Sequence, residues 1–188
     1  MQLYGSYTSP YVRHCRLVVA QTGLDCEFIE TDAVASAEKS PTKKVPFLVD
    51  GSVTLTDSVV ILKYLREKTG SAFFPDIMDY ELFCMVNTVL DATTNIFFLE
   101  KQDNIFVADS QYLQRQQGRI HSGLAYLNDL ALAKTLPLSD GQLRLACYLD
   151  WAVFRNRISL DLYPHLQQLL TLANTDASFV ETAPPTGA

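Results

Sequence analysis

A compact α/β unit over residues 1–70, followed by an all-helical unit over residues 80–188, is the fold class the sequence predicts. Three observations carry it. Strand and helix signals alternate through the first 70 residues, as in a βαβ unit. The stretch "GSAFFPDIMD" then breaks the pattern with Gly, Pro and small polar residues, so residues 71–79 read as a connector. Beyond it apolar residues recur only at helical spacing. With 188 residues, 48% of them hydrophobic, the chain has material for packed cores.

The elements follow in order. "MQLYGS" is a short apolar strand ended by small residues. "SPYVRHCRLVVAQTG" is a helix with Ser9 at the N-cap, Pro10 at its first position and Gly23 just past its end. Val12, Leu17, Val18 and Val19 form its apolar face. "CEFIET" is the second strand, and "DAVASAEKSPTKK" a surface loop with at most weak helical character. "VPFLVDGSVTLTD" reads as two antiparallel strands whose turn is made by Asp50-Gly51. "DSVVILKYLREKTG" is a helix burying Val59, Ile61, Leu62 and Leu65 and stopped at Gly70.

The second unit opens with "DYELFCMVNTVLDATTNIFFLEKQ", then "SQYLQRQQGRIHSGLAYLNDLALAK" with Leu113, Ile120, Leu124, Leu127 and Leu130 on one face. In "LSDGQLRLACYLDWAVFR" Ser139 and Gln142 stand in capping-box register. A shorter helix, "YPHLQQLLTLANT", follows, and the tail "ETAPPTGA" is expected to lie loosely on the surface.

Charge and cysteine content narrow the function. A formal net charge of -6 without a basic cluster argues against a nucleic-acid partner. The N-terminus lacks a signal-peptide pattern and no apolar run approaches the ~18 residues of a membrane span, so a cytoplasmic location without membrane attachment is expected. Cys15, Cys26, Cys84 and Cys147 form no Cys-x-x-Cys pair and read as reduced, mostly buried thiols. His14, His121 and His165 share no ligand spacing with acidic or Cys partners, so they read as surface or capping residues and no metal is expected.

Pro46 is the informative anomaly, because it opens what is otherwise a buried strand and cannot donate to the ladder. A cis bond would leave the N–H and C=O of Val45 free for an extended peptide laid alongside. Asp57-Ser58, at a helix start, adds N–H groups for an anion and a carboxylate for an ammonium. One small ligand with an amide, a carboxylate and an amine satisfies all of these groups.

These residues resemble a known family. Lys44-Val45-Pro46, followed by Asp57-Ser58 and "VVILKYL", is similar to the Lys-Val-Pro and acidic-Ser-x-x-Ile-x-x-Tyr-Leu signature of glutathione transferases. "SPYVR" at Ser9 resembles the first-helix start of the serine and cysteine branches, and "FFP", "LSDGQLRLACYLDW" and "FVETAPP" extend the likeness over nearly the whole chain. The resemblance implies a thioredoxin-like N-terminal domain, an all-α C-terminal domain and a homodimer. In this family the proline is cis.

It also implies roles. Ser9 places a hydroxyl near the glutathione sulfur, Val45 makes main-chain bonds to the cysteinyl unit beside Pro46, Lys44 faces the glycyl carboxylate, and Asp57 with Ser58 hold the γ-glutamyl end. Tyr7 is the rival hydroxyl, with simple packing as its ordinary role. Glutathione would be a co-substrate, added as thiolate to an apolar electrophile, or exchanged with a thiol, in a detoxification-type reaction. Tyr80, Phe83, Phe97 and Phe98 are candidates for the electrophile's surface, against the commoner reading of such spacing as core. The family loop usually reads Asn-Pro-x-Gly-Lys-Val-Pro; here "SPTKKVP" has Ser40 for Asn and Lys43 for Gly, and Lys adopts positive φ less readily. The alternative is a non-catalytic interaction protein on the same scaffold, similar to the stringent-starvation-protein branch that contacts RNA polymerase.

Overall fold

The computed structural model describes residues 1–185. Two compact units emerge: Met1–Pro75 together with the segment from Asn174 onward, and Asp76–Ala173. The boundaries drawn from sequence, 1–70 and 80–188, therefore shift, because the chain returns to its first unit after Ala173. The helical unit also starts earlier, with a helix that begins at Ile77 inside the 71–79 connector.

The first unit is a thioredoxin-like mixed sheet with helices. Its elements are β1 (Gln2–Gly5), α1 (Pro10–Thr22), β2 (Glu27–Glu30), α2 (Ala33–Lys39), β3 (Phe47–Asp50), β4 (Val53–Leu55) and α3 (Ser58–Lys68). The strand order is β2-β1-β3-β4, with β1 parallel to β2 and antiparallel to β3, and β3 antiparallel to β4. Helices α1 and α3 pack together, and Val12, Cys15, Leu17, Val18, Ile61, Leu62 and Leu65 join Leu3, Phe47 and Leu48 in the core. Each such side chain contributes about 1.5–3 kcal/mol when fully buried. Gly5 is needed here, since a Cβ on it would lie 2.4 Å from Val12 Cγ1.

Local details depart from the sequence expectation. Asp50 pairs with Val53, so the hairpin loop is Gly51-Ser52, with Gly51 at φ 58°, rather than Asp50-Gly51. The segment expected to be mostly loop contains α2, begun by Asp32, whose Oδ1 accepts from the Ala35 N–H at 2.8 Å. Val19 and Val59 are only half-buried. His14 is completely buried in α1, not a surface residue, because its position falls on the same helical face as the apolar core. Among the thiols Cys15 and Cys147 are buried, whereas Cys84 is exposed.

The chain docks on the first unit just before the expected loose tail, and within that tail Thr182 is buried while Glu181, Ala183 and Pro185 are exposed. A short helix, α8 (Ala177–Glu181), lies against α1 with Phe179 fully buried. The Arg13 guanidinium sits 3.9 Å from the Phe179 ring centroid and donates to the Phe179 carbonyl at 2.8 Å. Arg16 donates to the Thr182 carbonyl at 3.1 Å. The rest of the predicted tail, from 186 to 188, lies outside the described residues.

The second unit is helical. It holds α4 (Ile77–Phe98) continued by a π-helical turn (Leu99–Asp103), a 3-10 turn (Val107–Asp109), α5 (Gln111–Asp129), α6 (Asp140–Phe154) and α7 (Pro164–Ala173). The continuous helix Ile77–Asp103 is long and apolar enough to cross a membrane by length and composition, contrary to the expectation of no such run. Its apolar character serves packing: Phe83, Val86, Val89, Leu90 and Ile96 are buried, and α4 packs against both α5 and α6. The capping box foreseen at α6 forms by half. Ser139 Oγ accepts from the Gln142 N–H at 3.4 Å, but Gln142 Oε1 accepts from the Ala133 N–H at 3.1 Å. Asp79 of α4 adds a different cap, accepting from Ser139 Oγ and from the Gly141 N–H.

Candidate functional site

Sheet register assembles the site. Tyr4 pairs with Phe47 and Leu48 with Leu55 in antiparallel pairs, so the C-terminal end of β1, the N-terminal end of β3 and the C-terminal end of β4 share one edge of the sheet. Ser9 follows β1, Val45-Pro46 precedes β3, and Asp57-Ser58 follows β4, so all of them come to that edge. Both α1 and α3 begin there, and their unpaired N-terminal N–H groups give it a partial positive charge.

Ser9 caps α1. Its backbone is extended (φ -82°, ψ 125°), its Oγ accepts from the Val12 N–H at 3.4 Å, and its carbonyl accepts from the Arg13 N–H at 2.9 Å. That cap uses a lone pair of Oγ, so the hydroxyl proton can still be donated to an incoming anion. Asp57 caps α3 in the same way, its Oδ1 accepting from the Val59 N–H at 2.8 Å, while its side chain is exposed. Ser58, at the first position of α3, is 6% exposed. Helix α3 is held at its far end by Asp50 of the hairpin, which accepts from Tyr64 Oη at 2.7 Å and pairs with Lys68 Nζ at 2.6 Å. Lys68 and then Tyr64, as hydrogen-bond donors, hold the Asp50 carboxyl below its ordinary pKa.

The Val45-Pro46 peptide bond is cis, and β3 starts one residue later, at Phe47. Val45 thus stands outside the ladder and half-buried, whereas Lys44 is exposed. The preceding loop is built by a turn in which the Ser40 carbonyl accepts from the Lys43 N–H at 2.9 Å. Ser40 Oγ lies 2.9 Å from Thr42 Oγ1, and Ser36 Oγ donates to the Lys43 carbonyl at 3.4 Å. Lys43, standing where the resembling family has Gly, takes left-handed backbone at φ 53°.

Tyr7 packs differently. Its ring lies 4.7 Å from that of Phe28 and 4.6 Å beneath the Arg16 guanidinium. Burial lowers the Arg16 pKa, against the raising effect of Tyr7. The four candidate aromatics of the helical unit do not form one surface. Phe83 is fully buried beneath Arg144, and Phe97 packs edge-on to Trp151 at 5.7 Å. Tyr80 and Phe98 are exposed at 43% and 48% but stand at opposite ends of α4, about 27 Å apart at 1.5 Å per residue. Among the described residues no three His, Cys, Asp or Glu side chains gather as a metal site would require.

Sequence reasoning missed Arg16 and Asp79, and it saw Arg13 only as part of the "SPYVR" motif without its partner Phe179; all three reach partners across long chain separations. The capping-box register of Ser139 and Gln142 pointed to the cap of α6, but not to Asp79, which accepts from Ser139 Oγ and the Gly141 N–H.

A thioredoxin-like unit with a cis-proline edge between two capped helix N-termini, in one chain with an all-helical unit, defines the glutathione transferase architecture. Residues 3–72 match the family model for the glutathione S-transferase N-terminal domain. The uncharacterised GST-like protein YibF of Escherichia coli K12 is 28% identical, with 98% of this chain and 99% of that protein covered. A glutathione transferase family member from Pseudomonas fluorescens Pf-5, solved with bound glutathione, superposes with a TM-score of 0.85 at 23% identity, covering 98% of this chain and 99% of that one. A glutathione S-transferase from Methylobacillus flagellatus KT, also with glutathione bound, gives 0.84 at 21% identity over 98% and 99%. The chain is thus similar to glutathione transferases, in sequence through residues 3–72 and in fold over nearly its whole length.

Proposed function

We propose that the protein is a glutathione transferase of the serine type. The observation that carries this reading is the gathering of Ser9, Val45-Pro46 and Asp57-Ser58 at one sheet edge beside two helix N-termini. Solved relatives of the same fold hold glutathione. The N–H and C=O of Val45 would bond the cysteinyl backbone in strand fashion, Lys44 would attract the glycyl carboxylate, and Asp57 with Ser58 would receive the γ-glutamyl ammonium and carboxylate. Asp57 caps α3 through one oxygen, which leaves the other for the ammonium.

The chemistry asked of the site is modest. A thiol of pKa ~8.5 must be ionised near neutrality, and each unit of lowering requires about 1.4 kcal/mol of preference for the thiolate. Ser9 Oγ–H would donate to the sulfur, and the N-terminus of α1 would add its partial positive charge. The thiol proton leaves to water, the sulfur lone pair forms the new bond to an electrophilic carbon or sulfur, and the electrophile's leaving group departs or its π bond accepts the electron pair. Glutathione is consumed as co-substrate and no metal takes part. A homodimer in the cytoplasm is the expected setting.

Calorimetric titration with glutathione and with S-methylglutathione tests the reading. Saturable binding of both is expected. No heat at millimolar glutathione would overturn it and favour the interaction-module alternative, for which the Lys43-containing loop is the supporting feature.

A further inference from the structure

The helical unit encloses a cavity that the glutathione reading leaves unused. It measures about 240 Å³, and all of its lining residues belong to Asp76–Ala173. That is far more than one bound water requires, and less than the roughly 300–1,000 Å³ of drug-sized sites. Two irregular stretches of backbone build its rim. At the end of α4 the chain leaves α-helical geometry for the π-helical turn Leu99–Asp103, which carries Glu100; widened turns of this kind are frequent at functional sites. At the end of α6 Asn156 takes left-handed backbone at φ 54°. Its N–H donates to the Val153 carbonyl at 2.9 Å and the Arg157 N–H to the Ala152 carbonyl at 2.7 Å, a pair of bonds that closes the helix and reverses the chain. Arg157 Nη1 then donates to Glu100 Oε2, and both side chains are largely withdrawn from water, at 26% and 21% exposure.

The rim keeps bonding capacity that the fold does not use. Arg157 spends Nε on the Arg155 carbonyl at 3.0 Å and Nη1 on Glu100, so Nη2 remains, and Glu100 keeps Oε1. Gln117 gives one end of its amide to His121 at 2.8 Å and keeps the other. The Asn156 side chain makes no hydrogen bond among the described residues. The floor is apolar: Ile96 and Ile120 are 4% and 2% exposed, and the Thr93 hydroxyl is engaged by the Val89 carbonyl at 2.8 Å and Tyr148 Oη at 3.0 Å. An ion pair that only tied α4 to α6 would need neither the space nor the spare groups.

We propose that this cavity binds a small zwitterion, a free α-amino acid with an apolar side chain. Its carboxylate bonds Arg157 and Asn156, its ammonium bonds Glu100 and Gln117, and its side chain lies on Ile96 and Ile120. Charge balance selects the class. The rim carries one cation and one anion side by side, so a lone anion or a lone cation is opposed by one of them, whereas a ligand with both charges one carbon apart satisfies each. None of Tyr80, Phe83, Phe97 and Phe98 lines the cavity, so it is separate from the electrophile surface considered above, and the proposal does not depend on glutathione binding.

The test uses the full chain with its isoleucine methyl groups labelled for NMR, titrated with L-leucine, N-acetyl-L-leucine, which lacks the ammonium, and L-leucinamide, which lacks the carboxylate. Saturable shifts of Ile96 and Ile120 are expected with millimolar leucine, and about tenfold weaker binding of either analogue. Glu100→Gln should weaken leucine about tenfold while leaving N-acetyl-leucine unchanged, and Arg157→Gln should do the same with leucinamide spared. Should either variant melt early, the three probes on the wild type still decide. No shift at millimolar leucine would overturn the proposal, and so would equal binding of all three probes, which would report apolar filling alone. Shifts confined to Ile29 and Ile61 would overturn it too, since they would place leucine on the first unit.

Discussion

Replacing Ser9 by Ala removes a helix cap together with a hydroxyl, so two effects have to be told apart. The cap, Oγ accepting from the Val12 N–H, contributes about 1 kcal/mol, and its loss lowers the melting temperature by a few degrees. The hydroxyl, if it donates to the thiolate, acts on turnover. Ser9→Ala is expected to reduce kcat about 10- to 100-fold while glutathione affinity changes less than threefold, and Ser9→Asn, which keeps a capping oxygen, should restore stability but not rate. Undiminished turnover in Ser9→Ala would move the thiolate contact elsewhere, with Tyr7 first in line. Asp57 calls for the same separation. Asp57→Asn keeps an oxygen for the Val59 N–H but loses the charge, so glutathione should bind about tenfold more weakly in a protein of near wild-type stability, as calorimetry and thermal melts would read. Caps of this kind were legible in sequence, since Ser9-Pro10 and Asp57-Ser58 act within a single turn. The left-handed backbone of Lys43 was not, because it answers to bonds from Ser36 and Ser40 rather than to its own side chain.

At the scale of elements, the joint between α4 and α6 turns on a single carboxylate. Asp79 is 8% exposed, accepts from the Gly141 N–H at 3.1 Å and from Ser139 Oγ, and a Cβ on Gly141 would fall 2.5 Å from its Oδ1. Asp79→Ala leaves those donors without a partner and is expected to cost about 1–3 kcal/mol in chemical denaturation. Gly141→Ala should destabilise by a similar amount, through collision rather than loss of a bond. Asp79→Asn offers a test with a sign. Burial raises the Asp79 carboxyl above its ordinary pKa, opposed by the Ser139 and Gly141 donors. The folded state therefore holds this proton more tightly than the unfolded one, and the stability it contributes is full below the unfolded pKa and lost as pH rises through the folded one. From about pH 4 upward, melting temperatures of the wild type should fall relative to those of Asp79→Asn; parallel profiles would show that Asp79 does not titrate in this range. The Ser139 cap was readable because it is local, but the reciprocal bond expected of Gln142 was not made, since the Ala133 N–H competes for that side chain. Nothing near Asp79 in sequence announced a partner 62 residues away.

The whole molecule is ordered by alternation in its first part and helical periodicity in its second, and both patterns could be read directly. The discontinuity of the first unit could not, because the segment after Asn174 has little pattern of its own and is held by Arg13 and Arg16. Phe179 fills the space between that segment and α1. Phe179→Ala is expected to cost about 3–5 kcal/mol and to lower the melting temperature accordingly, while Val180→Ala, at an exposed position, serves as a control with little effect. For the expected homodimer, sedimentation at micromolar concentration should give twice the monomer mass of 21.0 kDa, and a single species at that mass would remove the dimer.

A ribosome delivers residues in order, and here the order matters. Arg13 emerges early, yet the carbonyl and ring it binds belong to Phe179, 166 positions later. Until then the cationic face of α1, the same helix whose first turn carries Ser9, has no lid. The thioredoxin-like unit of a nascent chain thus stays unfinished through the synthesis of every helix of the other unit, and its maturation is bound to the completion of a segment that contributes nothing to the sheet.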